Sequence, residues 1–228
     1  RYFNFVNVNG ANITLNGTSD VLANYATPGN TNGGTVFTNN GTIILNGLNS
    51  VGVILNSGVS TFGDSKILFN NPLELRGDQS IGIQATNSTI NLENSIIKLN
   101  IGTAGNAVNS TGNAPGGDVS KVENATGLVV DSSTTPLRMN NYNIFLGSAA
   151  QNSTGILVQN GNVTLGYSAA AGTTQTITSN GGIENNLLIA LGTGSSITTE
   201  ANTTLTLSGG LGQVGIFSNG GAVITNNG

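Results

Sequence analysis

The fold is decided by a short stretch that recurs along the chain: ITLNG at residues 13–17, IILNG at 43–47 and LELRG at 73–77. An aliphatic residue follows four positions after the glycine of each copy. The copies are about 30 residues apart, a period typical of stacked structural repeats. The match also aligns Ile67 with Ile97 and Phe69 with Leu99. The stretch therefore predicts a repeat protein.

A second marker continues the repeat toward the end of the chain. It is a β-branched residue followed by glycine and an aliphatic residue, and it occurs at residues 51–53, 81–83, 126–128, 154–156 and 214–216, with a degenerate copy at 186–189. Between the markers, apolar and polar residues alternate over four to six positions and turn residues interrupt them, which is typical of short β-strands. No apolar stripe with helical spacing is present, so we expect almost no helix.

A unit of two or three short strands cannot bury an apolar face alone, so each unit must stack on its neighbours. We therefore predict an all-β fold, a right-handed parallel β-helix of seven or eight coils and about 35 Å in length. Stacked asparagines at the turns would form hydrogen-bonded ladders. A sandwich or a propeller also has many strands, but the absence of Trp and the 5% of aromatic residues disfavour a propeller.

Composition excludes several function classes. The 228 residues carry a net charge of −4 with only six Lys and Arg, so we expect no nucleic-acid partner. The chain has no Cys and no His, which excludes thiol nucleophiles, Ser-His-Asp triads and the usual zinc sites. We expect no catalytic residue, no metal and no cofactor. No apolar run is long enough to span a bilayer, so we expect no membrane insertion by this chain.

The interval between Gly82 and Gly127 is half again as long as the others. Its residues from about 102 to 121 are rich in Gly, Asn and Ala, which predicts a loop projecting from one β-helix segment that covers residues 1–228. Loops on rigid scaffolds often carry recognition, whereas an insertion without function is the alternative. The candidate partner-binding residues are Gly102, Asn106, Asn113 and Asp118.

Arg76, Gly77 and Asp78 form a tripeptide that some extracellular proteins present to integrins. Gly77, however, occupies the same repeat position as Gly17 and Gly47, which explains it as a turn. We favour the turn and retain the three residues as weaker candidates for partner binding.

Charged residues gather around the third repeat. They are Asp64, Lys66, Glu74, Arg76, Asp78, Glu93 and Lys98. β-Helical enzymes that cleave polysaccharides use such clusters for acid–base chemistry. Because stacking would place opposite charges side by side, we favour a surface ion-pair ladder. Arg138 has no charge partner at the repeat spacing, so we expect it to be isolated.

Residues 39–43 (NNGTI), 50–53 (SVGV) and 153–157 (STGIL) resemble the passenger repeats of large bacterial autotransporter adhesins, in particular fusobacterial outer-membrane autotransporters. The resemblance implies a monomeric segment of a longer passenger, displayed on the bacterial surface through an outer-membrane barrel outside this chain. It would attach to a host-cell protein or glycan, or to another bacterium. The alternatives are a β-helical polysaccharide lyase or hydrolase and a trimeric phage tail fibre.

Overall fold

A computed structural model describes residues 4–26, 36–56, 66–86, 91–104, 120–131, 136–167 and 175–227. This part of the chain contains 24 β-strands and no helix. The first twelve strands are β1 (Asn4–Asn7), β2 (Asn12–Leu15), β3 (Val21–Ala26), β4 (Val36–Asn39), β5 (Thr42–Leu45), β6 (Val51–Asn56), β7 (Lys66–Phe69), β8 (Leu73–Leu75), β9 (Ile81–Thr86), β10 (Asn91–Leu92), β11 (Ile97–Ile101) and β12 (Val122–Glu123).

The remaining strands are β13 (Thr126–Asp131), β14 (Leu137–Met139), β15 (Tyr142–Leu146), β16 (Ala150–Gln151), β17 (Thr154–Gln159), β18 (Asn162–Leu165), β19 (Gln175–Asn180), β20 (Asn186–Leu191), β21 (Ser196–Thr199), β22 (Thr204–Ser208), β23 (Val214–Asn219) and β24 (Val223–Asn226).

The strands stack as a parallel β-solenoid of about six turns, which confirms the predicted fold class. The first long sheet has the order β2-β5-β8-β11-β15-β19-β22, and the second long sheet has the order β3-β6-β9-β13-β17-β20-β23. Strands that precede them in each turn form the sheets β1-β4-β7 and β10-β14-β18-β21-β24, and β12 pairs with β16 at a corner. We call one turn of the coil a rung.

The register of the strand pairs confirms the irregular interval that the sequence predicts between Gly82 and Gly127. Val51 pairs with Ile81 at the 30-residue spacing, whereas Ile81 pairs with Thr126, 45 residues further on. The predicted alignments of Ile67 with Ile97 and of Phe69 with Leu99 are both wrong, since Leu68 pairs with Ile96. Leu99 pairs with Leu73 in the first long sheet, because β11 follows β8 after only 26 residues and the added length comes after β11.

The core runs along the axis of the coil, since alternate side chains of every rung point inward. Aliphatic residues form most of it. On successive rungs Phe5 stacks on Phe37 with ring centroids 4.7 Å apart, and Phe37 meets Phe69 edge to face at 5.6 Å. Apolar burial on all sides of the coil supplies the main stabilisation of the rod.

The glycine marker has a steric cause. A Cβ on Gly82 would lie 2.6 Å from the carbonyl oxygen of Gly127, and a Cβ on Gly127 would lie 2.6 Å from that of Gly155. Real Cβ atoms do not approach oxygen so closely, so these backbones pack at a distance that only glycine permits. The degenerate copy is confirmed as the next rung, where Asn186 pairs with Thr154 and Leu187 replaces the glycine.

Every rung turns a corner with one residue in the left-handed backbone region. Each of these residues lies two positions before a strand of the second long sheet. They are Ser19, Asn49, Gln79, Asn124, Asn152, Glu184 and Gly212. Their backbone N–H groups donate along the axis, as from Asn49 to the carbonyl of Asp78 and from Gln79 to that of Glu123. The corner geometry therefore repeats although the residue type changes.

Candidate binding surface

Arg76, Gly77 and Asp78 lie in one of these corners. The Asp78 side chain is only 8% exposed, and its carboxylate accepts a hydrogen bond from the N–H of Glu123 at 2.9 Å. Burial raises the pKa of Asp78, and the hydrogen bond from Glu123 lowers it in part. A Cβ on Gly77 would collide with the carbonyl oxygen of Gly47. The tripeptide is thus built into the stack, and only Arg76 keeps a partly exposed side chain.

The charged residues near the third repeat have separate partners. Glu74 accepts hydrogen bonds from Asn100 at 2.6 Å and from Thr103 at 2.7 Å on the outer side of the first long sheet. The Lys98 ammonium donates to the carbonyl of Asn70 at 2.9 Å. Asp64 lies outside the described residues, and Lys66 begins β7 on an exposed face. Among the described residues, no three His, Cys, Asp or Glu side chains form a metal-binding group.

Arg138 is not isolated, so that prediction is wrong. Its guanidinium lies 3.4 Å from the Glu93 carboxylate and 4.0 Å from the centre of the Tyr167 ring. Glu93 is 45 residues from Arg138, because the long interval separates their rungs. A search at the regular spacing therefore misses this pair.

Of the predicted loop at about 102–121, the structure describes residues 102–104 and 120–121. Gly102 is buried with a φ of +60°, donates to the carbonyl of Leu75 at 3.0 Å and accepts from the N–H of Ala149 at 3.0 Å, so it belongs to the rod. Asn106, Asn113 and Asp118 lie outside the described residues. The projecting loop and its contacts stay a prediction.

Asparagines form ladders along the outer turns, as predicted. The Asn70 amide donates to the Asn40 side-chain oxygen at 2.7 Å, and the Asn46 amide donates to that of Asn16 at 3.1 Å. The Asn71 amide donates to the carbonyl of Asn40 at 2.6 Å. These bonds join residues about 30 positions apart, so they fasten one rung to the next.

An open groove of about 530 Å³ lies beside the Asn40 ladder and is lined by Val8, Asn9, Asn40, Asn70 and Asn71. Four asparagines and no charged residue line this shallow groove, its exposed wall is mainly apolar, and the Asn70 and Asn71 amides already donate to Asn40. The remaining amide hydrogens and lone pairs match a neutral, hydroxyl-rich ligand. We call it the amide groove. Sequence reasoning did not single it out, although the Asn39-Asn40 pair returns as Asn70-Asn71 and signals it.

The outer side of the second long sheet is less polar. Val129, Leu157, Ile189 and Phe217 pair in register and form a column of partly exposed apolar side chains. Thr126, Thr154 and Asn186 form a polar column beside it. Within the described residues, no helix is long and apolar enough to cross a membrane.

Comparison with protein-family models gives no match for this chain, and comparison with curated proteins and with solved structures gives none either.

Proposed function

We propose that this chain is a segment of a surface-displayed bacterial autotransporter adhesin, in which it acts as a rigid stalk and as a binding surface. The partner would be a protein or glycan of a host cell, or another bacterium. The display site would be the outer membrane, reached through a barrel outside this chain. The single observation that carries the proposal is the amide groove on a regular solenoid.

The groove supports a binding role because three of its asparagines, Asn40, Asn70 and Asn71, are held in place by bonds between rungs. Asn40 receives one hydrogen bond from the Asn70 side chain and another, on its carbonyl, from Asn71. Amides that are fixed in this way lose little conformational entropy when a ligand binds. A ligand rich in hydroxyl groups, such as a neutral glycan, matches their donors and acceptors.

The ladders support the stalk role. Parallel strand pairs join every rung to the next on several sides of the coil, and backbone bonds at the corners add to them. A solenoid of this kind resists bending because each rung is fixed by both neighbours. Its length grows with the number of rungs, which suits a protein that holds a contact away from a cell.

The test is binding of the purified chain to host cells and to other bacteria, compared with the double variant Asn40→Ala and Asn70→Ala. We expect the wild type to bind and the variant to lose at least about tenfold in affinity, since two positioned amides disappear. Asn56→Ala, an exposed asparagine at the end of β6 on another sheet, is the matched control and should bind normally.

Deletion of residues 105–119 gives a second arm. Loss of binding in this deletion but not in the groove variant would assign recognition to the predicted loop. If the wild type binds neither host cells nor bacteria, the binding role fails and a stalk role alone survives.

A further inference from the structure

Asparagine is followed directly by glycine at nine places in the chain: Asn9, Asn16, Asn32, Asn40, Asn46, Asn160, Asn180, Asn219 and Asn227. This pair is chemically labile. The backbone nitrogen of the glycine can attack the side-chain carbon Cγ of the asparagine, and glycine has no Cβ to hinder the attack. Since Asn32 and Gly228 lie outside the described residues, seven pairs can be compared.

In most of these pairs the rod holds the attacking nitrogen. The N–H of Gly47 donates to the carbonyl of Leu15 at 3.1 Å, and the N–H of Gly17 donates to the Asp20 carboxylate at 2.7 Å. A nitrogen can attack only after its hydrogen bond is broken, so these pairs should react slowly in the folded chain. The other bonded glycines are Gly41, Gly181 and Gly220, which donate to the Asn39 side chain, the Ser208 carbonyl and the Asn219 side chain.

The Asn160-Gly161 pair is restrained in another way. Gly161 is buried. The backbone N–H of Asn160 donates to the Ser195 hydroxyl at 2.7 Å, and its side-chain amide donates to the Asp131 carboxylate at 3.4 Å. The side chain is therefore held toward Asp131, and the nitrogen of Gly161 is out of contact with water.

The pair at residues 9–10 lies in a corner that is longer than the corresponding corner of the next rung. Four residues separate Asn7 from Asn12, whereas two residues separate their strand partners Asn39 and Thr42. Because rungs bond to each other through their strands, the two extra residues lie outside the stack, whether or not another rung precedes this one. Their exposure is thus a property of the corner.

The extra residues form a β-turn. The N–H of Ala11 donates to the carbonyl of Val8 at 3.1 Å, and Gly10, the third residue, has a φ of +82°. The closing bond uses the N–H of the fourth residue, so it does not hold the nitrogen of Gly10. Asn9 and Gly10 are both exposed, and a Cβ on Gly10 would meet no atom within 4 Å. Both reacting groups are therefore in water.

We infer that Asn9 is a site of spontaneous deamidation. The nitrogen of Gly10 bonds to Cγ of Asn9, the bond from Cγ to the amide nitrogen breaks, and ammonia leaves with the proton that Gly10 gives up. Water then opens the cyclic imide and leaves aspartate or isoaspartate. Because Asn9 lines the amide groove, the product brings a negative charge to a groove lined by uncharged residues. The inference does not depend on the proposed function.

The test is peptide mapping by mass spectrometry of the full 228-residue chain, incubated in mildly alkaline buffer with and without urea. In the folded chain Asn9 should convert at least about tenfold faster than Asn46 and Asn180, since those pairs must first break a hydrogen bond between rungs. In urea the three rates should converge, because only local sequence then acts. Equal rates at the three sites in the folded chain would overturn the inference.

Asp20→Ala tests the protective bond, because Gly17 loses its acceptor in this variant. Conversion of Asn16 should accelerate at least about threefold, and that of Asn46 should not change. Asn9→Gln is the control, in which the first turn should stay unmodified because glutamine would have to form a larger ring. Circular dichroism should show both variants folded. Failure of Asn9 to convert in the folded wild type, or an unchanged Asn16 rate in folded Asp20→Ala, would refute the explanation.

Discussion

The Asp78 carboxylate accepts a hydrogen bond from the backbone N–H of Glu123 at 2.9 Å, across 45 residues of sequence. The bond joins the third rung to the fourth where the chain takes its longest interval. The aspartate of the Arg76-Gly77-Asp78 tripeptide thus adds one bond between rungs, at the cost of burying its carboxylate.

Asp78→Asn should make the stability of the rod less dependent on pH. Because the pKa of Asp78 is raised in the folded state, folding favours the protonated form. The corresponding contribution to stability is complete below the unfolded-state pKa and is lost as pH rises through the folded-state pKa. Urea unfolding at neutral pH and at about pH 4 measures this difference for both proteins. Parallel changes in wild type and variant would contradict it.

Asp78→Ala tests the hydrogen bond itself. It leaves the N–H of Glu123 without its acceptor and should reduce the free energy of unfolding by about 1–3 kcal/mol. Asp78→Asn keeps an acceptor oxygen and serves as the control at neutral pH. Equal stability of the two variants would show that the bond contributes little.

Gly127→Ala should destabilise the rod, since its Cβ would meet the carbonyl oxygen of Gly155 at 2.6 Å. We expect a loss of about 1–3 kcal/mol in chemical unfolding. Gly215 holds the same position on the last rung, where the nearest atom to a Cβ is a Leu207 methyl at 3.7 Å. Gly215→Ala should therefore change stability by less than about 0.5 kcal/mol. Similar losses in both variants would refute the steric explanation.

Gln79→Asn should stabilise the protein. Gln79 is exposed and has a φ of +56°, a backbone conformation that asparagine tolerates better than glutamine. We expect a gain of about 0.5–1 kcal/mol in thermal or chemical unfolding. Asn49 has the same φ one rung earlier, so Asn49→Gln should lose a similar amount. A change of the same sign in both variants would be inconsistent with this cause.

Arg138→Ala should lower stability by about 0.5–1 kcal/mol, because it removes the contacts with Glu93 and Tyr167 at a partly exposed site. The two contacts differ in their response to salt, which screens the Glu93 pair more strongly. A double-mutant cycle of Arg138→Ala with Tyr167→Leu, at low and high salt, separates them. A coupling energy of zero at both salt concentrations would dismiss the ring contact.

The repeat and the parallel stack could be predicted because the side-chain pattern reports inward and outward positions directly. The glycine marker located the second long sheet, even at Asn186-Leu187 where glycine is missing. The corner residues were missed, because Ser19, Gln79 and Glu184 share a backbone angle and no side-chain chemistry. Backbone conformation that several residue types adopt leaves little trace in one sequence.

The binding surface was harder to predict, since it depends on register rather than composition. Val8 and Asn70 meet in the amide groove although 62 positions separate them. The hydrogen bond of Asp78 could not be predicted from the sequence either, because its partner Glu123 lies across the irregular interval. A regular 30-residue spacing predicts neighbours well only where the rungs have that length.

The pairing of each rung with its neighbours determines how this chain folds. Each strand of the two long sheets bonds to strands one turn away, so no rung needs a partner from the far end of the rod. Any pair of adjacent turns can nucleate, and every later turn then docks on a finished template. The slowest step should be closure of the 45-residue turn, which has the greatest loop entropy to overcome. Folding would therefore advance as a front along the axis and pause at that turn.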